Sequence, residues 1–296
     1  MPRSSRLPRS SGSFESFDVD EAYAYPEHLR EQLVGLPAAP GVYLFHGDAS
    51  FSMPLYIGKS INIRSRVMAH LRTPAEAAML RQSVRISFIR TAGEIGALLL
   101  EAQLIKQHQP LHNQKLRRNR QLCTIGLESG LQGRLPVVLF SRDVDFASTP
   151  DLFGLFSSRR AALDALHSLA DMHKLCYGAL GLERLAAGKA CFRSMVKMCQ
   201  GVCHGAESRA EHDARFLQAL EGLRVVTWPF AGAVGLVESF EGEEEILVVN
   251  NWCFLGAAKS RQEAKLLGKV ASGFDANGYK VLCKPIMLQA VKIIAL

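Results

Sequence analysis

Residues 41–70 read GVYLFHGDASFSMPLYIGKSINIRSRVMAH. The stretch opens with Gly41-Val42-Tyr43, stays apolar to Phe45 and breaks at a polar turn around Gly47-Asp48. A second apolar run ends in Tyr56-Ile57-Gly58-Lys59, and a basic segment with Arg64, Arg66 and His70 follows. Two short strand-like runs joined by a turn and feeding a basic segment with helical spacing predict a hairpin followed by a helix. The two-residue period of a strand lets Tyr43 and Tyr56 share one face. Arg66 and His70 are four apart on the helix and also share a face, with Ile63, Val67 and Leu71 as the neighbouring apolar stripe. Two phenols, the Lys59 ammonium, a guanidinium and an imidazole around one edge suit a phosphate site able to move a proton.

Outward from that stretch, 296 residues with 48% apolar content are enough for two domains plus extensions, each with a real core. A net charge of +7 favours an anionic partner. The charge is uneven: Lys59 to Arg72 and Lys106 to Arg120 carry bases and no acid, whereas Glu241 to Glu245 is acidic. No apolar run is long enough to span a bilayer, so no membrane association is expected. The Ser/Arg-rich start has no apolar signal region, and a cytoplasmic protein with a flexible lead-in over 1–35 is expected. Seven cysteines, an odd number, read as thiols or metal ligands in preference to a disulfide framework.

Along the chain, Tyr25 to Leu36 predicts a short helix, a cover for the sheet edge or a substrate contact. Pro74 to Gln82 predicts another helix, and Val84 to Thr91 a strand. Thr91-Ala92-Gly93-Glu94 has capping-box spacing ahead of a helix running to Gln107, with Ile95, Leu98, Leu99, Ala102 and Ile105 in helical period. Glu101 lies on or beside that buried stripe, where a carboxylate needs a partner. Composition alone favours a salt bridge slightly over a metal ion. Pro110 ends the helix, Asn113 follows, and the run with Lys115, Arg117, Arg118 and Arg120 reads as a solvated loop or a track for phosphates. Leu122 to Leu127 and Val137 to Ser141 read as strands, and Arg159 to His173 as an amphipathic helix. Cys176, Cys191, Cys199 and Cys203 then fall within 28 residues, spaced as buried thiols, a structural zinc site or an iron–sulfur site. Cys123, Cys253 and Cys283 sit in apolar surroundings as packing residues. Beyond them come a helix over Glu207 to Leu223, strands at Ala233 to Val237, Ile246 to Asn250 and Lys280 to Cys283, and a helix near Arg261 to Val270. Trp252 and Phe254 are read as core residues, with base stacking as the alternative.

The ordered set Gly41-Val42-Tyr43, Tyr56-Ile57-Gly58-Lys59-Ser60, Arg66, Glu101 and Asn113 resembles the GIY-YIG endonuclease domain, most closely the nuclease module in the C component of excinuclease ABC. The resemblance is strong over 39–113 and extends more weakly to about Gly205; the overall length suggests a short homologue. It implies an α+β fold: a GIY-YIG domain with a small mixed sheet flanked by helices at 36–115, a cysteine-bearing α/β extension at 116–205 and a mixed C-terminal region at 206–296. It also implies a DNA endonuclease of nucleotide excision repair, nicking 3′ to a lesion in damaged double-stranded DNA with the B component of excinuclease ABC bound there. The expected site has Tyr43, Tyr56, Lys59, Arg66, His70, Glu101 and Asn113 as catalytic residues, Glu101 holding Mg²⁺ or Mn²⁺, and Arg64 with the 115–120 run on the DNA. Tyr56 is the favoured base; Lys59 would orient water or lower the pKa of a neighbouring tyrosine. The same resemblance implies a [4Fe-4S] cluster at the four cysteines, with zinc as the alternative; Val202 stands where the C component usually has proline. No segment matches the second, RNase H-like nuclease of that component, its helix–hairpin–helix pair, or the module through which it contacts the B component. A stand-alone restriction or mobile-element nuclease and a non-catalytic nucleic-acid-binding module are the competing expectations.

Overall fold

A computed structural model describes residues 24–48, 53–113, 122–130, 133–185 and 189–296. Lys115, Arg117, Arg118 and Arg120, and most of the expected lead-in, lie outside the described residues. Three sheets, each with its own core, follow one another along the chain.

The first unit pairs β1 (Gly41–His46) with β2 (Pro54–Ser60), then adds α1 (Ile63–His70), α2 (Ala77–Gln82), β3 (Arg85–Arg90) and α3 (Glu94–His108). The sheet order is β2-β1-β3, and both pairings are antiparallel where a mixed sheet was expected. The alternation in β1 divides the core as the period of two requires. Tyr43 and Phe45 pack with Ile63 and Val67 of α1 and with Leu71 just after it on one face; Val42, Leu44 and Ile57 pack with Ile105 of α3 on the other. Both outer strands are closed by a side-chain amide, so neither edge is left as a bare row of unpaired backbone groups. Gln32, in a 3-10 turn over Glu27–Leu33, accepts from the Ile86 amide and donates to the Val84 carbonyl along β3. Asn113 accepts from the Ile57 amide at 2.9 Å and donates to the Ile57 carbonyl at 2.7 Å along β2. The segment over Tyr25 to Leu36 is thus a cover for the sheet edge, with Leu29 and Leu36 in the core.

The middle unit has β4 (Cys123–Gly130), β5 (Gly133–Phe140) and β6 (Phe153–Phe156) in the order β5-β4-β6, all antiparallel. Against it pack α4 (Arg159–Met172) and, after the cysteine segment with its single helical turn α5 (Phe192–Met195), α6 (Arg209–Leu220). The two long helices start on side-chain caps, Ser158 on the Ala161 amide and a full capping box between Ser208 and Glu211. Phe216 and Leu220 of α6 share a core with Cys123, Ile125 and Leu166, so the helix beyond residue 205 packs with the middle sheet.

The last unit has β7 (Val234–Phe240), β8 (Glu243–Asn250), β9 (Cys253–Ala258), α7 (Arg261–Leu267), α8 (Ala276–Met287) and β10 (Lys292–Ala295), with sheet order β10-β7-β8-β9. Lys280 to Cys283, expected as a strand, lies inside α8. Gly278, Leu282 and Ile286 recur every four residues as its buried stripe, and Asp275 caps its start, so the helical period outweighs local strand propensity. Trp252 is fully buried and donates its indole N–H to the Val226 carbonyl, and Phe254 packs beside it. Burial of Trp252 therefore excludes base stacking by that ring. No helix among the described residues is long and apolar enough to cross a membrane.

Candidate active site and four-cysteine cluster

The register places Tyr43 opposite Gly58 and Phe45 opposite Tyr56, so the two tyrosines are diagonal neighbours on one face. Their ring centroids are 6.3 Å apart. The Tyr43 ring lies over Gly58: a Cβ there would come within 2.3 Å of the Tyr43 hydroxyl and 2.9 Å of the Tyr56 ring. The glycine of Tyr-Ile-Gly is thus required by the phenol of Gly-Val-Tyr.

His70 enters from the buried face of α1, its Nε2 2.6 Å from the Tyr43 hydroxyl. Its Nδ1 hydrogen-bonds the Glu76 carboxylate. With the proton on Nδ1, Nε2 is the acceptor for the phenol, so the carboxylate sets the tautomer. Burial holds His70 below the ordinary histidine value, more than offsetting Glu76. Glu76 was not singled out from the sequence. Its only signal there is a carboxylate six residues after the histidine, which means little before the turn at Pro74–Glu76 folds it back.

Arg66, exposed on the same helix, sets its charge beside both phenols. Burial and neighbouring Tyr56 push the Tyr43 phenol far up, against the opposing effect of Arg66. Burial and Glu101 also raise Tyr56, with the charge on Arg66 opposing them. Both phenols are raised, and Tyr43 is the one raised far.

Lys59 does not face the tyrosines. Its ammonium is 2.7 Å from Glu94, and its backbone N–H donates to Glu101 at 3.1 Å. Arg66 supplies the cation that opposes the upward shift of both phenols. Glu94 and Glu101 are seven apart, two helical turns along one face of α3, so Lys59 ties the end of β2 to that helix at both points. Burial holds the Glu101 carboxyl above the ordinary glutamate value, with Lys59 and Arg66 opposing. Arg64 is exposed on α1.

The four cysteines meet: every pair of sulfurs among Cys176, Cys191, Cys199 and Cys203 lies within 4.8 Å, and Cys203 alone is not fully buried. Backbone amides reach these sulfurs, from Gly201 to Cys199 and from Cys191 to Cys203. Burial pushes the Cys176 thiol up to about 11 and raises Cys199 further; it works against Cys203 too, yet hydrogen bonds from the Cys191 amide and the other thiols hold that group low. Four apolar-walled sulfurs at this separation fit a soft metal centre.

Family models match three consecutive stretches: the UvrC-like GIY-YIG domain over 39–114, the UvrC/Cho excinuclease middle domain over 122–222, and the excinuclease Cho C-terminal domain over 233–296. Excinuclease cho of Escherichia coli O157:H7 is 59% identical over 271 residues, covering 92% of this chain and 90% of that protein. The Salmonella typhi protein of the same name is 54% identical over 97% of both chains. Among solved structures, the magnesium-bound GIY-YIG N-terminal endonuclease domain of UvrC from Thermotoga maritima is 30% identical over 30% of this chain and 98% of that one, with a TM-score of 0.27. Matched at that identity over nearly its whole length, and by all three domain models in order, the chain belongs to the excinuclease Cho family, DNA endonucleases of nucleotide excision repair.

Proposed function

We propose that this endonuclease hydrolyses one phosphodiester on the 3′ side of a lesion in duplex DNA, using a single divalent cation on Glu101. One observation carries the reading: Tyr56, Arg66, Lys59 and Glu101 converge on the end of the edge strand β2. Glu101 suits a hard cation, being a half-buried carboxylate whose charged form burial disfavours and which gains from a positive neighbour. Held by Glu101, Mg²⁺ or Mn²⁺ would supply Lewis acidity and positive charge for the leaving 3′ oxygen. Tyr56 takes the proton of the attacking water, its ionised form favoured by the charge of Arg66. His70, oriented by Glu76, holds Tyr43 in place. Arg66 also clamps the phosphate, Lys59 orients Glu101 through its backbone, and Asn113 keeps β2 in register. Arg64 and the bases at Lys115, Arg117, Arg118 and Arg120 form the phosphate track.

The division into a lead-in, a nuclease domain, a cysteine-bearing extension and a C-terminal region belongs to the same reading. So do the damaged duplex held by the B component of excinuclease ABC as substrate, and a cytoplasmic setting. The free thiols support the last of these. The four cysteines hold a metal centre. The resemblance to the C component favours a [4Fe-4S] cluster; the short sulfur separations favour a single zinc ion, since a metal–sulfur bond of about 2.3 Å sets neighbouring sulfurs about 3.8 Å apart in a tetrahedron. The Cys176 and Cys191 sulfurs are 4.0 Å apart. Iron and zinc content of anaerobically purified protein decides between them.

The test is incubation with a duplex carrying one defined lesion, with and without the A and B components, mapping nicks on both strands. A Mg²⁺-dependent nick 3′ to the lesion, requiring the duplex to be loaded with the B component, is expected. Cutting at an undamaged sequence motif instead, or binding without cutting, would remove the proposal.

A further inference from the structure

Helix α3 has no side-chain cap of its own. Gly93 occupies the N-cap position, and the Thr91 hydroxyl is turned onto the Gly93 carbonyl, so the capping box expected over Thr91 to Glu94 does not form. The first free amides are instead taken by the last unit. Glu238, on β7, accepts from Ile95 at 2.9 Å through one oxygen and from Gly96 at 2.7 Å through the other. Glu245, on the neighbouring strand β8, accepts from Ala92 at 3.3 Å. The notch is shaped for that carboxylate: a Cβ on Gly93 would lie 2.3 Å from the Glu238 carboxyl group, and one on Gly96 3.1 Å from its oxygen. At the other end of α3, Lys106 pairs with Asp275, the cap of α8, at 2.6 Å. Between the two ends, Leu99 and Ile95 pack with Leu236, Leu247 and Trp252 of the last unit. Leu100, Leu104 and Ile105 pack under the nuclease sheet. One helix is therefore shared by two cores, and it carries Glu101 on the side that meets Lys59.

We infer that the C-terminal unit is a clamp on the nuclease, with Glu238 as a positioning residue that sets where Glu101 stands by capping its helix from another domain. A carboxylate spanning two amides at a helix start fixes both the axial and the rotational position of the first turn, and adds the favourable charge–dipole contact. Because α3 runs as one continuous helix from that cap to Glu101, a shift at Ile95 and Gly96 is carried to the carboxylate about one and a half turns on. This unit thereby gains a role in the reaction through the placement of Glu101. The inference rests on the reading of Glu101 as the cation ligand.

The test uses the full chain and Glu238→Gln, which keeps the side-chain shape but replaces one acceptor oxygen with a donor. Two readouts are needed. In metal-free protein, hydrogen exchange at the Ile95 and Gly96 amides should quicken about tenfold. In the nicking assay, the Mg²⁺ concentration for half-maximal rate should rise about tenfold while the rate at saturating Mg²⁺ falls less. A merely structural role would lower the active fraction without moving the Mg²⁺ midpoint. Gly93→Ala is the second variant should the first fail to fold. Its backbone is extended and accepts alanine, but the new methyl evicts the carboxylate without removing it, so both readouts should change in the same directions. Unchanged exchange, or faster exchange with an unchanged Mg²⁺ midpoint, overturns the inference. Glu101→Gln serves as the control: if it nicks with a wild-type Mg²⁺ dependence, the ligand assignment has failed, and the exchange result still reports on the clamp by itself.

Discussion

The tyrosine site gathers its groups from β1, β2, α1, α3 and the turns after them, spread over residues 43 to 113, whereas the four cysteines come from within 28 consecutive residues. The first cluster is made of oxygen and nitrogen donors, with Arg66 and Glu101 exposed or half-exposed. The second is sulfur, and Cys176, Cys191 and Cys199 are buried. The contrast follows ligand hardness. A hard cation with one carboxylate keeps water and phosphate in its shell and needs an open site, while a soft centre is closed by the protein itself. It also separates roles: chemistry needs groups placed by a rigid sheet from several directions, and a local staple needs only a loop that returns to itself.

The largest effect expected from breaking the first cluster is Glu101→Ala, which should reduce nicking by roughly three orders of magnitude or more, with DNA affinity nearly unchanged in a gel-shift titration. Comparable Mg²⁺-dependent cleavage by the variant would merge the site with the surrounding structural ion pairs. Next is Tyr56→Phe, which removes one hydroxyl from a phenol that Arg66 supports. A single-turnover rate lower by roughly two to four orders of magnitude is expected. Tyr43→Phe should cost less, because Tyr43 is the phenol that burial keeps protonated. If their ranking were reversed, the two tyrosines would exchange roles.

Cys199→Ser tests the other side of the contrast. It should empty the metal centre, as read by elemental analysis, and lower the melting temperature. The Mg²⁺ midpoint of whatever folded protein remains should not move. A shifted midpoint would mean that the two clusters are coupled.

The smallest effect is electrostatic. Burial holds Glu101 above the ordinary glutamate pKa, so between the unfolded and folded values the folded chain binds more protons. Stability therefore falls as pH rises through that window, and the whole penalty is present above it. In metal-free urea melts, the stability of wild type relative to Glu101→Gln should decline from acid pH toward neutral, and added Mg²⁺ should restore it. A flat difference would show that the carboxylate is already satisfied by Lys59.

Most of the nuclease unit was legible from residues 41 to 113, because its information is local. The hairpin follows from two apolar runs and a turn, α1 from its Ile63, Val67 and Leu71 stripe, and the shared face of Tyr43 and Tyr56 from a period of two. The meeting of four cysteines was legible for the same reason, since a short loop can bring them together without help from elsewhere. Long-range contacts were not. Glu76 reaches His70 only after a turn, Glu94 rather than a tyrosine takes the Lys59 ammonium, and Gln32 closes the β3 edge from well before the hairpin. At α3 the sequence offered a capping box from Thr91 to Glu94, and the fold used Glu238, 142 residues beyond Gly96. Periodicity determines which faces of an element are apolar. Which distant side chain satisfies an open backbone amide is decided only when separate cores pack together, since a buried donor takes whichever acceptor that packing delivers.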